Sequence, residues 1–142
     1  MTNPLFDLKG RTALVTGSSR GLGRAMAEGF AAAGAHVIIN GTNGERVAST
    51  VADFTANGYE ASASVFDVTS EEAIKAAFAD FDAQGVEIDI LVNNAGIQFR
   101  KPMVDLETAD WQRVIDTNLP SAFMLGREAA RQRGVSIAGA RV

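Results

Sequence analysis

Short apolar runs at regular intervals are the feature that most constrains the fold of this chain. They occupy residues 13–15, 37–39, 65–66 and 88–92. Each run is too short for a helix, and none shows the polar alternation of a strand that has one face in water. Such runs are typical of strands buried on both faces of a parallel sheet.

Stripes of apolar residues at helical spacing lie between these runs. The first stripe ends at Gly34 and the third near Gly85, and the third is predicted to open with a capping box formed by Thr69 and Glu72. A fourth helix is predicted from about Thr108. Alternating strands and helices indicate an α/β fold with a parallel sheet, right-handed crossovers and helices on both faces. The three stripes comprise Leu22, Ala25, Met26, Gly29, Phe30 and Ala33; Val47, Val51 and Phe54; and Ile74, Ala77, Phe78 and Phe81.

Length and composition limit the remaining classes. The chain has 142 residues, of which 46% are apolar, enough for one core. A net charge of −4 without a basic run argues against nucleic-acid binding. The absence of cysteine and a single histidine, His36, exclude disulfides, thiolate chemistry and a His-rich metal site. With neither a leader sequence nor a membrane-length apolar run, we expect a cytoplasmic protein without membrane contact.

A glycine-rich loop follows the first predicted strand and precedes the first helix. Residues 16–23 read Thr-Gly-Ser-Ser-Arg-Gly-Leu-Gly. Gly17 permits a tight turn out of the strand, Gly21 a close approach of backbone to a pyrophosphate, and Gly23 close packing of the helix on the sheet. The helix N-terminus then offers free N–H groups to an anion. This arrangement favours dinucleotide binding in a Rossmann-type doubly wound sheet; the alternative is an ordinary structural turn.

The loop resembles the T-G-x-x-x-G-x-G motif of the short-chain dehydrogenase/reductase family, and residues 93–96, Asn-Asn-Ala-Gly, resemble a second motif of that family. The resemblance covers residues 5–130. We expect residues 1–130 to form one dinucleotide-binding domain, with an atypical tail over 131–142. Within the family, residues 93–100 are most similar to gluconate 5-dehydrogenases, and 3-oxoacyl-carrier-protein reductases share the general pattern. The implied cofactor contacts are Gly17, Ser19, Arg20, Gly21, Leu22, Thr42, Asp67, Val68, Asn94, Ala95 and Gly96. Asn93 is expected to brace the end of its strand.

The cofactor is predicted to be NADP rather than NAD. An NAD-type site places an acid about 20 residues beyond the loop to bind the ribose 2′-hydroxyl. Residues 40–43 read Asn-Gly-Thr-Asn and contain no carboxylate. Arg20 can bind a 2′-phosphate through paired hydrogen bonds, and Thr42 can add a hydroxyl contact. Alternatively, Arg20 is a solvated loop cation, Thr42 a turn residue, and Asp67 only the start of the next turn.

Asn118 falls on the apolar face predicted for the fourth helix. Either it is a core asparagine bonded to backbone, or it has the catalytic role that the family resemblance implies, in which an asparagine here bends the helix and holds a water of the proton relay. Pro120 lacks an N–H group and should break or kink the helix nearby. The other members of this face are Trp111, Val114, Ile115, Ala122, Leu125 and Ala129.

The resemblance implies hydride transfer between an alcohol and a ketone, with a tyrosine as general acid/base, a lysine four positions later and a serine upstream. The single tyrosine, Tyr59, has Ala63 four positions later and does not fit. We therefore expect the cofactor-binding half of an NADP-dependent enzyme, truncated after about four strands, with an unpaired sheet edge and no independent activity. The alternatives are a non-catalytic dinucleotide- or partner-binding module and a marginally stable fragment. Members of the family commonly form homo-oligomers through helices that include the fourth.

Overall fold

The computed structural model describes residues 4–134 of the chain, in which strands and helices alternate as the apolar pattern predicts. Two short 3-10 turns, Pro4–Phe6 and Met103–Asp105, precede β1 and α4. The strands are β1 (Thr12–Val15), β2 (His36–Gly41), β3 (Ala61–Val65) and β4 (Ile90–Val92), and the helices are α1 (Gly21–Ala32), α2 (Gly44–Ala56), α3 (Glu71–Ala83) and α4 (Thr108–Gln132).

The strands form one parallel sheet in the order β3-β2-β1-β4. Leu14 in β1 lies opposite Ile38 in β2 and Leu91 in β4. This arrangement confirms the predicted Rossmann-type parallel sheet. Within residues 4–134, β4 pairs with β1 alone, so its other edge is open as expected.

Both faces of the sheet are covered, because successive strand residues point to opposite sides. On one face, Leu14 and Ile38 pack with residues of α3 and α4, including Phe78 and Leu125. On the other face, Val15 packs with residues of α1 and α2. Two apolar layers therefore enclose the strands, which explains why the strand sequences are continuously apolar.

The apolar face predicted for α1 is largely wrong, although one of its members, Phe30, is half-buried against the core. The residues of α1 buried against the sheet are Gly23, Ala27 and Ala31, whereas Leu22 is 72% exposed. Small side chains let this helix approach the sheet closely beside the glycine loop. The predicted stripe is aligned on Leu22, Met26 and Phe30 together with small residues of the same face, whereas close packing here buries only the smallest residues of α1.

Two element boundaries also differ from the prediction. Ser70, not Thr69, caps α3, and its hydroxyl accepts a hydrogen bond from the Ala73 amide at 3.2 Å. The Thr69 hydroxyl instead donates to Asp67 at 2.7 Å. In addition, β3 ends at Val65, so the apolar run 65–66 marks only the end of that strand.

The expected break at Pro120 does not occur, since α4 runs from Thr108 to Gln132 without interruption. Proline removes one hydrogen bond from a helix of 25 residues. The second half of α4 is held independently, because Leu125 is buried and Arg127 pairs with Glu71 of α3 at 2.7 Å. The helix passes the expected domain boundary at 130, and most of the predicted tail lies outside the described residues. In residues 4–134, no helix combines the length and apolar character needed to cross a membrane.

Candidate functional site

The glycine loop begins at the carboxyl end of β1, and two of its residues adopt a backbone conformation that only glycine adopts easily. Gly17 and Gly21 have φ angles of 62° and 59°, in the left-handed region. A Cβ on Gly17 would also lie 3.0 Å from the Cα of Ala95, whereas one on Gly21 would meet nothing within 4 Å. The loop thus combines one tightly enclosed glycine with one that faces open space.

One side of the loop is joined to the Asn-Asn-Ala-Gly segment after β4. The Asn94 amide group donates to the backbone oxygens of Thr16 at 3.0 Å and Gly17 at 3.2 Å. In return, the Thr16 hydroxyl accepts from the backbone N–H groups of Asn94 and Ala95. Asn94 therefore makes the brace expected of Asn93, which is exposed and has no side-chain hydrogen bond in the described part of the chain.

The other side of the loop is joined to the end of β2 by Asn40, which is 1% exposed. Its Oδ1 accepts from the Gly17 amide at 3.1 Å, and its Nδ2 donates to the backbone oxygens of Ser64 and Phe66. The backbone N–H of Asn40 also donates to the Ser18 hydroxyl at 3.0 Å. The loop is thus fixed by side chains of the protein itself, without a ligand.

A cleft of about 300 Å³ opens beside the loop at the carboxyl edge of the sheet, where doubly wound proteins bind ligands. The structure brings most of the predicted cofactor residues to this cleft, although Gly21 and Leu22 do not line it. The predicted catalytic residue Asn118 does not line it either. The predicted residues that line it are Gly17, Ser19, Arg20, Thr42, Asp67, Val68, Asn94, Ala95 and Gly96. Lining residues that the sequence did not single out are Asn40, Gly41, Asn43, Arg46, Phe66, Thr69, Ile97 and Thr117.

Two arginines at the cleft, Arg20 and Arg46, form no salt bridge or side-chain hydrogen bond within residues 4–134. In residues 4–134, every other arginine side chain contacts a carboxylate, an amide oxygen or an aromatic ring. Asp67 is the single carboxylate among the described residues that line the cleft. An unpaired pair of cations beside one carboxylate suits an anionic ligand.

Asp67 has one carboxylate oxygen engaged within its own turn. Its Oδ1 accepts from the Thr69 amide at 2.8 Å and from the Thr69 hydroxyl at 2.7 Å. The side chain is exposed at the cleft, and no hydrogen bond to its Oδ2 is formed within the described residues. Asp67 therefore starts the turn toward α3 while one oxygen stays available to a ligand.

Asn118 is exposed rather than buried, contrary to the prediction. Its Oδ1 accepts from the Ile97 amide at 2.8 Å and its Nδ2 donates to the Ile97 carbonyl at 3.1 Å. These contacts correspond to the backbone-bonded alternative. They attach α4 to the segment after β4 and place the neighbouring Thr117 at the cleft.

A doubly wound sheet with a braced glycine loop and a cleft at its carboxyl edge defines an α/β protein of the nucleotide-binding architecture. Residues 11–139 match the sequence profile of the short chain dehydrogenase family. The chain belongs to this family, which confirms the resemblance of its two motifs.

Relatives with gluconate dehydrogenase names are prominent among the matches. Gluconate 5-dehydrogenase of Gluconobacter oxydans is 44% identical over 132 residues, which are 92% of this chain and 52% of that protein. The structure of a proposed gluconate dehydrogenase from Agrobacterium tumefaciens has 69% identity and a TM-score of 0.89, covering 92% of this chain and 52% of that one. A gluconate 5-dehydrogenase of Burkholderia cenocepacia, solved with NADP and tartrate, has 44% identity and a TM-score of 0.83, covering 89% of this chain and 49% of that one. The chain spans about half the length of the curated relatives it matches.

Proposed function

We propose that this chain is the NADP(H)-binding half of an oxidoreductase that interconverts a secondary alcohol and a ketone. The observation that carries the proposal is the cleft beside a braced glycine loop, flanked by the unpaired Arg20 and lacking a carboxylate over residues 40–43. A 2′-phosphate suits such a site, because guanidinium binds phosphate in a paired geometry. The NADP bound to the Burkholderia relative supports the same cofactor.

The predicted contacts can be assigned along NADP(H) from one end to the other. The pyrophosphate is assigned to the turn at Gly17, which lines the cleft, and to Gly21, which lies outside the lining and faces open space near the N-terminus of α1. Arg20 and Thr42 are proposed to bind the 2′-phosphate, and the free oxygen of Asp67 the adenine amino group. The ribose beside the nicotinamide is assigned to the backbone of Asn94, Ala95 and Gly96. Gly17, Ser19, Leu22 and Val68 remain predicted contacts to the same ligand.

The proposed substrate class is a sugar acid, gluconate or 5-ketogluconate. The names of relatives at 44% identity support this choice. When bound, the nicotinamide supplies or accepts the hydride exchanged with the substrate carbon. The chain's own residues bind the dinucleotide and orient it against the segment after β4.

The chain is proposed to be incompetent as a catalyst by itself. Within residues 4–134, no tyrosine or lysine lines the cleft; Tyr59 packs against Phe54 with ring centroids 6.0 Å apart. The loss of a positioned proton donor costs carbonyl reduction about 10²–10⁴-fold. A role for Asn118 in proton transfer stays a prediction. Because its amide group is bonded to Ile97, that role requires another of its atoms or an exchange of these bonds.

Cofactor binding and turnover are tested together on the purified chain. Its melting temperature is measured with and without NADPH, and the absorbance of NADPH is followed with 5-ketogluconate present. We expect stabilisation by NADPH without consumption. Turnover would contradict the missing proton donor, and the absence of any thermal shift would contradict cofactor binding. A longer protein that includes the remaining half should restore turnover.

A partner-binding role is the second candidate, and the open edge of β4 favours it. An unpaired strand edge accepts a strand from another chain. On α4, Leu119 and Phe123 are 67% and 65% exposed, which supports self-association through this helix. Sedimentation of the chain with and without NADPH separates the candidates: an assembly that forms regardless of cofactor favours partner binding.

A further inference from the structure

Arg46, in the first turn of α2, is a cleft cation that the sequence pattern does not single out. It lines the cleft together with Arg20 and Thr42. No carboxylate in residues 4–134 pairs with it. Other exposed arginines of this acidic protein do find partners; Arg24, for example, pairs with Asp53 at 2.9 Å. A free arginine at the cleft is therefore a specific feature of this site.

The backbone of Arg46 is held at both of its polar groups. Its N–H donates to Oδ1 of Asn43, the cap of α2, at 2.9 Å. Its carbonyl accepts from the Thr50 hydroxyl at 3.0 Å. The Arg46 side chain therefore leaves from a fixed point on α2.

The same Thr50 hydroxyl connects this point to the glycine loop. It also lies 3.0 Å from the carbonyl of Ser19, the residue before Arg20, and it is 1% exposed. One hydroxyl hydrogen is thus shared between the carbonyl oxygen of Arg46 and the carbonyl oxygen of Ser19, which precedes Arg20. The neighbouring Gly41 leaves room for the Ser19 side chain, because a Cβ there would lie 3.0 Å from the Ser19 hydroxyl oxygen.

We propose that Arg46 is a second cationic ligand of the 2′-phosphate and that Thr50 is the positioning residue that sets its spacing from Arg20. The inference rests on the proposed binding of NADP(H). A phosphate monoester carries a charge of about −1.5 to −2 near neutral pH, so two guanidinium groups neutralise it where one does not. The 2′-hydroxyl of NAD offers no charge to either arginine, and both residues therefore determine cofactor specificity.

The test uses two small probes, adenosine 2′,5′-bisphosphate and 5′-AMP, which differ only in the 2′-phosphate. Their affinities are measured by calorimetry on the wild-type chain, Arg46→Gln and Arg24→Gln. The Arg24 variant is the matched control, because it removes the same charge from an arginine outside the cleft. We expect Arg46→Gln to weaken the bisphosphate about tenfold, as for one charge-assisted hydrogen bond, with 5′-AMP unchanged.

The outcomes distinguish a failure of this inference from a failure of the proposed function. Equally weakened binding of the bisphosphate in Arg46→Gln and Arg24→Gln would assign the effect to overall charge. That result would overturn the role of Arg46, while NADP binding would stand. An unchanged bisphosphate affinity in Arg46→Gln would overturn it as well. Failure of the wild-type chain to bind NADPH at all would overturn the proposed function and, with it, this inference.

Thr50 is tested by Thr50→Val, which removes the hydroxyl at nearly constant volume, with Thr50→Ser as the variant that retains it. We expect Thr50→Val to lower the ratio of bisphosphate to 5′-AMP affinity and Thr50→Ser to preserve it. A purely structural role would weaken both probes equally and leave the ratio unchanged, which would overturn the positioning role. Should Thr50→Val fail to fold, Thr50→Ala takes its place: a ratio lower than that of Thr50→Ser would support the positioning role, and an equal ratio would contradict it.

Discussion

Substitution of Gly23 by alanine tests whether the packing of α1 on the glycine loop determines cofactor binding. A Cβ at this position would collide with the Gly17 carbonyl oxygen and the Asn94 amide nitrogen, and it would lie 2.9 Å from the Gly17 carbonyl carbon. Two of these atoms are backbone, and the third is the Asn94 amide nitrogen, which donates two hydrogen bonds to backbone oxygens of the loop. The collision therefore cannot be relieved by rotating a free side chain.

The expected magnitude follows from three contributions. Overpacking costs about 1–3 kcal/mol. Displacement of the Asn94 amide loses two hydrogen bonds of about 0.5–1.5 kcal/mol each. Alanine returns about 1 kcal/mol of helix propensity. The net loss in the free energy of unfolding is therefore about 3 kcal/mol, which lowers the melting temperature of a chain of this size by roughly 10 °C.

Gly29→Ala is the matched control, since Gly29 lies on the same helix and a Cβ there would meet nothing within 4 Å. This variant should gain about 0.5–1 kcal/mol from helix propensity alone. Urea titrations followed by circular dichroism give both values, and NADPH titrations should show lost binding in the Gly23 variant only. A Gly23 variant with wild-type stability and affinity would refute the argument from packing.

Three further results are expected. A backbone amide of β1 and two arginines lower the pKa of Asp89 below its ordinary 3.8. The carboxylate therefore stabilises the fold fully above that pH, and its contribution is lost as the pH falls below it. The urea midpoints of wild type and Asp89→Asn should differ above about pH 5 and converge in acid. Asn118→Ala should accelerate hydrogen exchange at the Ile97 amide; unchanged exchange would refute the brace. Asn40→Asp should cost about 3 kcal/mol, because it replaces the donor in two buried hydrogen bonds, whereas Asn43→Asp, at a helix cap, should be neutral in the same titration.

The sheet was predictable because strands buried on both faces leave a mark that needs no knowledge of partners. Residues 13–15 and 37–39 are apolar without alternation, and both prove to be central strands. The face of α1 was not predictable in the same way. Its buried residues are small, which fits the close approach of the helix to the sheet. The distance between helix and sheet is a property of the packing, and the sequence of α1 alone, with the large Leu22, does not indicate it.

The same distinction applies to the candidate site. Gly17 and Arg20 were found because their spacing in the loop has a local meaning. The role of Asn40 and the proposed role of Arg46 depend on other elements. The first depends on contacts with the loop and the end of β3, and the second on the position of Arg46 at the cleft without a paired carboxylate in residues 4–134. An asparagine after an apolar run was a sequence signal for the first of these, since a polar residue in a buried strand must find partners.

The distribution of the braces along the chain is the reason we expect this chain to bind a dinucleotide on its own. The loop is fixed by Asn40 from β2, Thr50 from α2 and Asn94 after β4, and each bond joins residues within the first two thirds of the chain. A loop fixed before the ligand arrives avoids most of the ordering cost of binding. The cleft offers no comparable set of residues for proton transfer, because no tyrosine or lysine among the described residues lines it. We therefore expect cofactor affinity and catalytic competence to be separable in this protein, with binding that persists where turnover does not.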